Sequence, residues 1–265
     1  ELQFGRRALA MAEDEGSPWH EAVARSRMAM VHYYRGRWDD SLALLDEARA
    51  LFLRTGDLFE LGSCYTHIYA NRLNQGRYRL AADAARAMSD VVARTGQKQF
   101  LARGARGQLL YARGKLGELD TPAAIAALRE AANEARDARD GVALSVFELW
   151  LADLHRAAGE LSQAAAALEI CVQRRERSSL RLDYDVAAYP LLALVYLDPD
   201  SPRPRDRGSA LRRRLRIGGL VRRAERLSRR RHPNYRPLAL LARAVLEWRH
   251  GSRRRGARTF VQSRD

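Results

Sequence analysis

Apolar side chains recur along this chain every three or four residues. From Trp38, the series Trp38, Leu42, Leu45, Ala48 and Phe52 keeps one helical face apolar, and Leu61, Cys64, Tyr65 and Ile68 do the same in the next segment. No stretch alternates apolar and polar residues as a strand would. Ala, Leu and Arg dominate and β-branched residues are sparse, so local preference agrees with the periodicity. The chain reads as all-α.

Glycines cut this pattern at a regular interval. Gly16, Gly56 and Gly96 lie 40 residues apart, and Gly141 follows after a small insertion. Gly36 and Gly76 fall on a second phase, which Gly159 continues. A period of this length marks a helical array rather than a single globule, and arrays bind more often than they catalyse. Gly closes a helix because it adopts the left-handed conformation at low cost. In Arg54-Thr55-Gly56-Asp57 and Arg94-Thr95-Gly96-Gln97 a basic residue also suits the negative end of the helix dipole. Asp57 is placed to cap the next helix, and Ser17-Pro18 and Thr121-Pro122 read as helix starts.

The predicted helices are a leading segment at 1–15, then pairs at 17–35 and 38–54, 57–75 and 78–95, 98–115 and 122–139, 142–158 and 161–178, and 181–197 and 207–231. A sixth pair opens at 235–250 and is expected to be truncated. Gly36, Gly76 and Gly159 are expected to turn within a pair, and Gly16, Gly56, Gly96 and Gly141 to stop one pair before the next. The loop at 198–206 carries three prolines within six residues. It is expected to be exposed and mobile.

Aligning the second-phase glycines gives a sharper pattern. Gly36-Arg-Trp38-Asp-Asp-Ser41, Gly76-Arg-Tyr78-Arg-Leu-Ala81 and Gly159-Glu-Leu161-Ser-Gln-Ala164 share a large residue two after the Gly and a small one five after it. A compact residue follows at Ala48, Met88 and Cys171. This resembles the tetratricopeptide repeat over about residues 17–178. The period is longer than the family's, its earlier Gly is replaced by Ala29, Tyr69 and Ala152, and no consensus Pro ends the second helices. The resemblance implies a right-handed α-solenoid of antiparallel helix pairs. Long repeats of this type are similar to those of large bacterial signalling proteins, where they lie beside kinase, cyclase, ATPase or DNA-binding domains. Glu1 at the start and a helical pattern running to Asp265 read as a segment cut from a longer protein.

The net charge of +15 is unevenly placed. Residues 201–265 hold 21 Arg against 4 acids, whereas residues 1–200 hold 26 Lys plus Arg against 28 acids. Composition therefore divides the chain into helical repeats at 1–197, a Pro-rich loop at 198–206 and basic helical repeats at 207–265. The only lysines are Lys98 and Lys115. No apolar run reaches the roughly 20 residues of a membrane span. Val186 to Leu197 is shorter and contains Pro190. Cys64 and Cys171 sit among apolar residues and read as small buried side chains, which fits a reducing, cytoplasmic setting.

Catalysis is not expected. There is no Gly-rich phosphate loop of the nucleotide-binding kind, and Gly104-Ala-Arg-Gly107 lies inside a helical stretch. The six histidines show no metal spacing and read as helix-surface or turn residues. Asp39-Asp40 and Asp183/Asp185 fall at helix starts, where carboxylates suit the dipole. No cofactor or metal is expected.

Two binding surfaces are. Stacked helix pairs make a concave groove lined by their first helices. By register Arg27, Tyr33, His67, Asn74, Trp150 and Arg156 are candidates to face it and to hold a protein or peptide, with inter-repeat core as the plainer reading of Tyr33 and Trp150. The Lys/Asn pattern with which some tetratricopeptide repeats clamp a peptide's C-terminal carboxylate is absent. The second surface is Arg212, Arg213, Arg214, Arg222, Arg223, Arg229, Arg230 and Arg231, which alternate with Leu211, Leu215, Leu220, Ala224 and Leu227 as a cationic amphipathic helix. A solvated Arg face is its plainest reading. An acidic protein surface, nucleic acid or an anionic membrane are its alternative partners. Self-association through an uncapped end near Leu240, Val245 and Trp248 is a third expectation.

Overall fold

The computed structural model describes residues 2–95, 99–177, 184–202, 206–230 and 232–264. Among these residues there are 13 α-helices and no strand. They are α1 (Leu2–Asp14), α2 (Pro18–Tyr34), α3 (Trp38–Thr55), α4 (Leu58–Asn74), α5 (Tyr78–Thr95), α6 (Gln99–Leu116), α7 (Thr121–Asp137), α8 (Gly141–Ala157), α9 (Leu161–Arg177), α10 (Asp185–Leu197), α11 (Arg207–Arg230), α12 (Arg236–His250) and α13 (Arg253–Gln262). A short 3-10 turn, Pro233–Tyr235, precedes α12. Gly96, Lys98, Asp183 and Arg231, all singled out above, lie outside the described residues.

The chain divides into two compact units, residues 1–120 and 121–265. This division falls well before the change in composition at 198–206. In the first unit each helix from α1 to α6 packs on its neighbour in sequence, and α2 also touches α4, and α4 touches α6. In the second unit α7 to α13 pack in succession, and α10 additionally touches α8 and α12. No helix among the described residues is long and apolar enough to cross a membrane.

One closure recurs at six of the helix ends among the described residues. At Gly36 the backbone N–H donates to Tyr33 O, and the following Arg37 N–H reaches back to His32 O. The same two bonds recur at Gly16, Gly76, Gly117 and Gly159, each with positive φ. Gly117 was missed in the sequence because the connection after it is longer. Helices α3, α5 and α9 begin two residues after their glycine, but α7 begins at Thr121. Allowing for that shift, Ala124 and Ala131 take the small positions of the pattern, and both are buried.

The expected role of Gly141 is not observed. Arg139 takes the left-handed conformation there, with φ 55°, and makes the same pair of bonds to Arg136 O and, through Asp140 N–H, to Ala135 O. Asp140 then caps α8 by accepting from Ala143 N, which leaves Gly141 as the first helical residue. Arg139 is the one non-glycine with positive φ among the described residues.

The repeat pattern has a packing basis. Ser41, Ala81 and Ala164 are fully buried, as are Ala48, Met88 and Cys171 twelve residues after each turn Gly. A larger side chain at the first set would push two helices apart. Ala29, Tyr69 and Ala152, which stand where the family has Gly, are buried as well. Leu45, Phe52, Leu61 and Cys64 form the centre of the first unit's core. Leu168, Val172, Leu192, Leu220 and Ala224 do so in the second.

The last helices also differ from expectation. The pattern from 235 does not run on to the end of the chain. It breaks at Gly251, and Ser252 starts α13 by accepting from Arg255 N. The new helix packs on α12 so closely that a Cβ at Gly256 would lie 2.8 Å from Trp248 N and 2.9 Å from Ala244 O. Thr259 Oγ1 donates to Glu247 across the same contact, at 2.7 Å. Leu240 is buried, Val245 packs against the core, and Trp248, 52% exposed, lies under the Arg253 guanidinium. Of the residues expected at a bare apolar end, Leu240 and Val245 are thus covered, whereas Trp248 and, on α13, Phe260 and Val261 are exposed.

Candidate functional site

Helices α2 and α4 of the first unit are held in register from their first turns. Ser17 caps α2 and Pro18 opens it. Asp57 caps α4 by accepting from Phe59 N and Glu60 N, and it also accepts from Trp19 Nε1 on α2 at 2.8 Å. One carboxylate therefore starts one helix and ties down the other.

Four of the sequence candidates come together on this frame. Asn74 donates to the Tyr33 hydroxyl at 3.2 Å. The Arg27 guanidinium lies 3.6 Å from Glu60. Burial, and then the charge of Arg27, push the His67 imidazole down to about 4, so this ring is neutral at pH 7. Tyr33 is buried and positions Asn74, which fits its core reading. Arg27 is exposed, and His67 and Asn74 are half-buried. Deeper in the same layer, Asn71 bridges Ser41 Oγ at 3.1 Å and His67 O at 2.8 Å, and its own side-chain oxygen has no partner. Glu60 and Asn71 belong to this row although sequence reasoning passed over them. Their signal was helical spacing: Asn71 is one turn after His67, and Asn74 is two turns after it. The surface is polar, preformed and neutral at its histidine.

Trp150 and Arg156, the other two candidates, lie on α8 of the second unit. Trp150 is buried and stacks on Phe147 at 5.9 Å between ring centroids. Arg156 is exposed and pairs with Asp153 in its own helix at 3.1 Å. Beside them sits a histidine that departs from the surface role expected for it. His155 is buried, with Nδ1 2.5 Å from Glu160 and Nε2 3.3 Å from Arg129.

The arginines of α11 do not form one cationic face. Arg213 is turned inward, where it donates to Tyr196 O and Ser201 Oγ, both at 2.7 Å, and to Pro202 O, with its guanidinium over the Tyr196 ring. It thereby ties down the described part of the Pro-rich loop, and Ser201 is buried rather than exposed. Arg212, Arg214, Arg222, Arg223 and Arg229 are exposed. Arg229 pairs with Glu225 at 3.4 Å. Arg230 closes the helix, and Arg231 lies outside the described residues. The apolar series is split too. Ile217, Leu220, Val221 and Ala224 are buried, whereas Leu211 and Leu215 are exposed. At 100° per residue these two leucines project from the side of α11 opposite its core face.

A cleft of about 540 Å3 lies along α11, lined by Arg216, Arg222, Arg223, Arg226, Glu176 and Tyr189 among others. Arg216, Arg226 and Tyr189 were not among the sequence candidates. The available signal was Gly218-Gly219, a doublet unfavourable in a helix interior unless space is required there.

The remaining candidates are structural. Asp39 accepts from Gln75 at 2.8 Å, and Asp40 lies 3.4 Å from His32. Asp185 is buried, and desolvation raises its carboxyl to about 6 in spite of Arg175 and Arg174. Burial raises the thiols of Cys64 and Cys171 to about 12, which removes their nucleophilicity. Among the described residues no three of His, Cys, Asp or Glu gather where they would hold a metal ion.

No family model matches the chain, and no curated protein matches it. Among solved structures it is similar to BtubC (BKLC) from P. vanneervenii, with a TM-score of 0.54 and 16% identity. The match covers 86% of this chain and 89% of that one. The likeness is one of fold: an all-helical, repeat-like chain.

Proposed function

We propose that this chain is a right-handed α-solenoid of antiparallel, tetratricopeptide-like helix pairs that works as a non-catalytic scaffold or sensor module in the cytoplasm. It binds a protein or peptide on the row formed by α2 and α4. In a larger bacterial signalling protein it regulates an effector domain. The observation that carries this reading is the convergence of Arg27, His67 and Asn74 on a frame fixed by Asp57 and Tyr33. Supporting it are the repeated turn closure and the contacts of α2 with α4 and of α4 with α6, which are the layer a solenoid needs for an inner surface. The fold shared with BtubC agrees.

The test is selection of peptides from a random library on the full chain, followed by titration into variants. Arg27→Ala and Asn74→Ala should each weaken the selected peptides about tenfold, as expected for side chains that anchor an interface. Failure to enrich any peptide, or binding by both variants as tight as by the unsubstituted chain, counts against the reading. The exposure of Arg212, Arg214, Arg222 and Arg223 supports a second reading, a surface for nucleic-acid phosphates. Titration with a DNA duplex at two salt concentrations tests it, and no binding at low salt removes it.

A further inference from the structure

The cleft on the second unit is chemically one-sided. Arg216, Arg222, Arg223 and Arg226 line it against the single carboxylate of Glu176. Arg216 is oriented by Glu169 at 2.8 Å. Arg222 and Arg226 are one turn apart on the same face of α11. Both are exposed, and neither has a carboxylate within ion-pair distance among the described residues.

Two further observations point into the same space. Tyr189 is buried, and its hydroxyl lies next to the Arg223 guanidinium without a hydrogen bond of good geometry. The phenol oxygen is able to accept from a guanidinium, which leaves the phenolic proton to donate to an acceptor oxygen in the cleft. At Gly219 an added Cβ would meet nothing within 4 Å. The helix thus forgoes a side chain where one would project into the cleft. A volume of about 540 Å3 is that of a small-ligand site.

We propose that this cleft binds a phosphoryl group with two or more negative charges, carried by a small molecule such as a polyphosphate or nucleotide. Guanidinium matches phosphate oxygens in bidentate geometry, and with Glu176 and the Glu169 partner of Arg216 both counted, the excess of two positive charges is still more than one carboxylate ligand requires. The arginines surround a concavity instead of running along a line, and Glu176 opposes a long polyanion. Both features favour a compact ligand over a nucleic-acid backbone. The site does not depend on the peptide-binding role of the first unit.

Pyrophosphate and, separately, inorganic phosphate are titrated into the full chain at low salt and followed by calorimetry and amide NMR. Pyrophosphate should bind more tightly than phosphate and shift resonances of α11. Arg222→Gln/Arg226→Gln should weaken it about tenfold or more, and Tyr189→Phe should weaken it severalfold. Gly219→Leu keeps every charge, improves helix propensity and should abolish binding by filling the space, with the helical circular dichroism unchanged. Absence of pyrophosphate binding overturns the proposal. So does binding that survives Gly219→Leu, or a short DNA duplex that binds more tightly than pyrophosphate and ignores that substitution.

Discussion

The two units close their helices with the same pair of hydrogen bonds but differ in what they build on them. In the first unit Gly16, Gly36 and Gly76 supply the left-handed residue, the connections are short, and polar residues on α2 and α4 interlock. In the second unit an arginine takes that place at 139, α10 is shorter and carries Pro190, and the excess of arginine gathers around α11. The comparison separates two things that the repeat period merges. Backbone closure is generic and tolerates substitution at about the level of one strained residue. Surface chemistry is particular to each unit: a neutral polar row in one, an anion-attracting cleft in the other.

Acid should act on the two units in opposite directions. His67 binds its proton less readily in the folded state than when unfolded, so its contribution is present above about pH 6.5 and is lost as pH falls toward 4. Asp185 holds its proton more tightly when folded, so its burial destabilises progressively as pH rises from about 4 to 6. At one pKa unit per roughly 1.4 kcal/mol, each effect reaches up to about 3 kcal/mol. Asp185→Asn should stabilise the chain at pH 7 and flatten that part of the profile. NMR titration of the two side chains checks the signs, and midpoints near 6.5 and 4 would remove the contrast.

The C-terminal close approach provides the next test. Gly256→Ala places a methyl group against backbone atoms of α12 and should cost about 2 kcal/mol. Hydrogen exchange should then speed up in α13 while α2 and α4 keep their protection. Uniform acceleration throughout the chain would mean that the two regions do not open independently.

The smallest effect concerns the turns. A non-glycine residue in the left-handed conformation costs about 1–2 kcal/mol. Arg139→Gly should therefore raise stability by about 1 kcal/mol, and Gly159→Ala should lower it by a similar amount. Chemical denaturation of both variants measures this. A destabilising Arg139→Gly would show that the arginine side chain contributes more than the strain removes.

These particulars mark how far the sequence could be read. The helices and most of their ends were legible because apolar periodicity and glycine are both local signals. Gly117 was hidden by a two-residue shift in the following helix. Gly141 misled because the residue that takes the left-handed turn beside it is an arginine, a choice local preference argues against. Register alone placed Arg27, Tyr33, His67 and Asn74 on one row, and the structure brings them together there. Tyr189 could not be added to the arginines because its role depends on α10 lying against α11, a contact between segments distant in sequence. His155 was read as a surface residue for the same reason: Arg129, one of the residues that encloses it, comes from the preceding helix.

The most direct test of the binding account is amide hydrogen exchange on the full chain with and without a library-selected peptide. The account predicts added protection in α2 and α4, centred near Arg27, His67 and Asn74, and none in α11. Protection confined to α11, or absent from both, would contradict it.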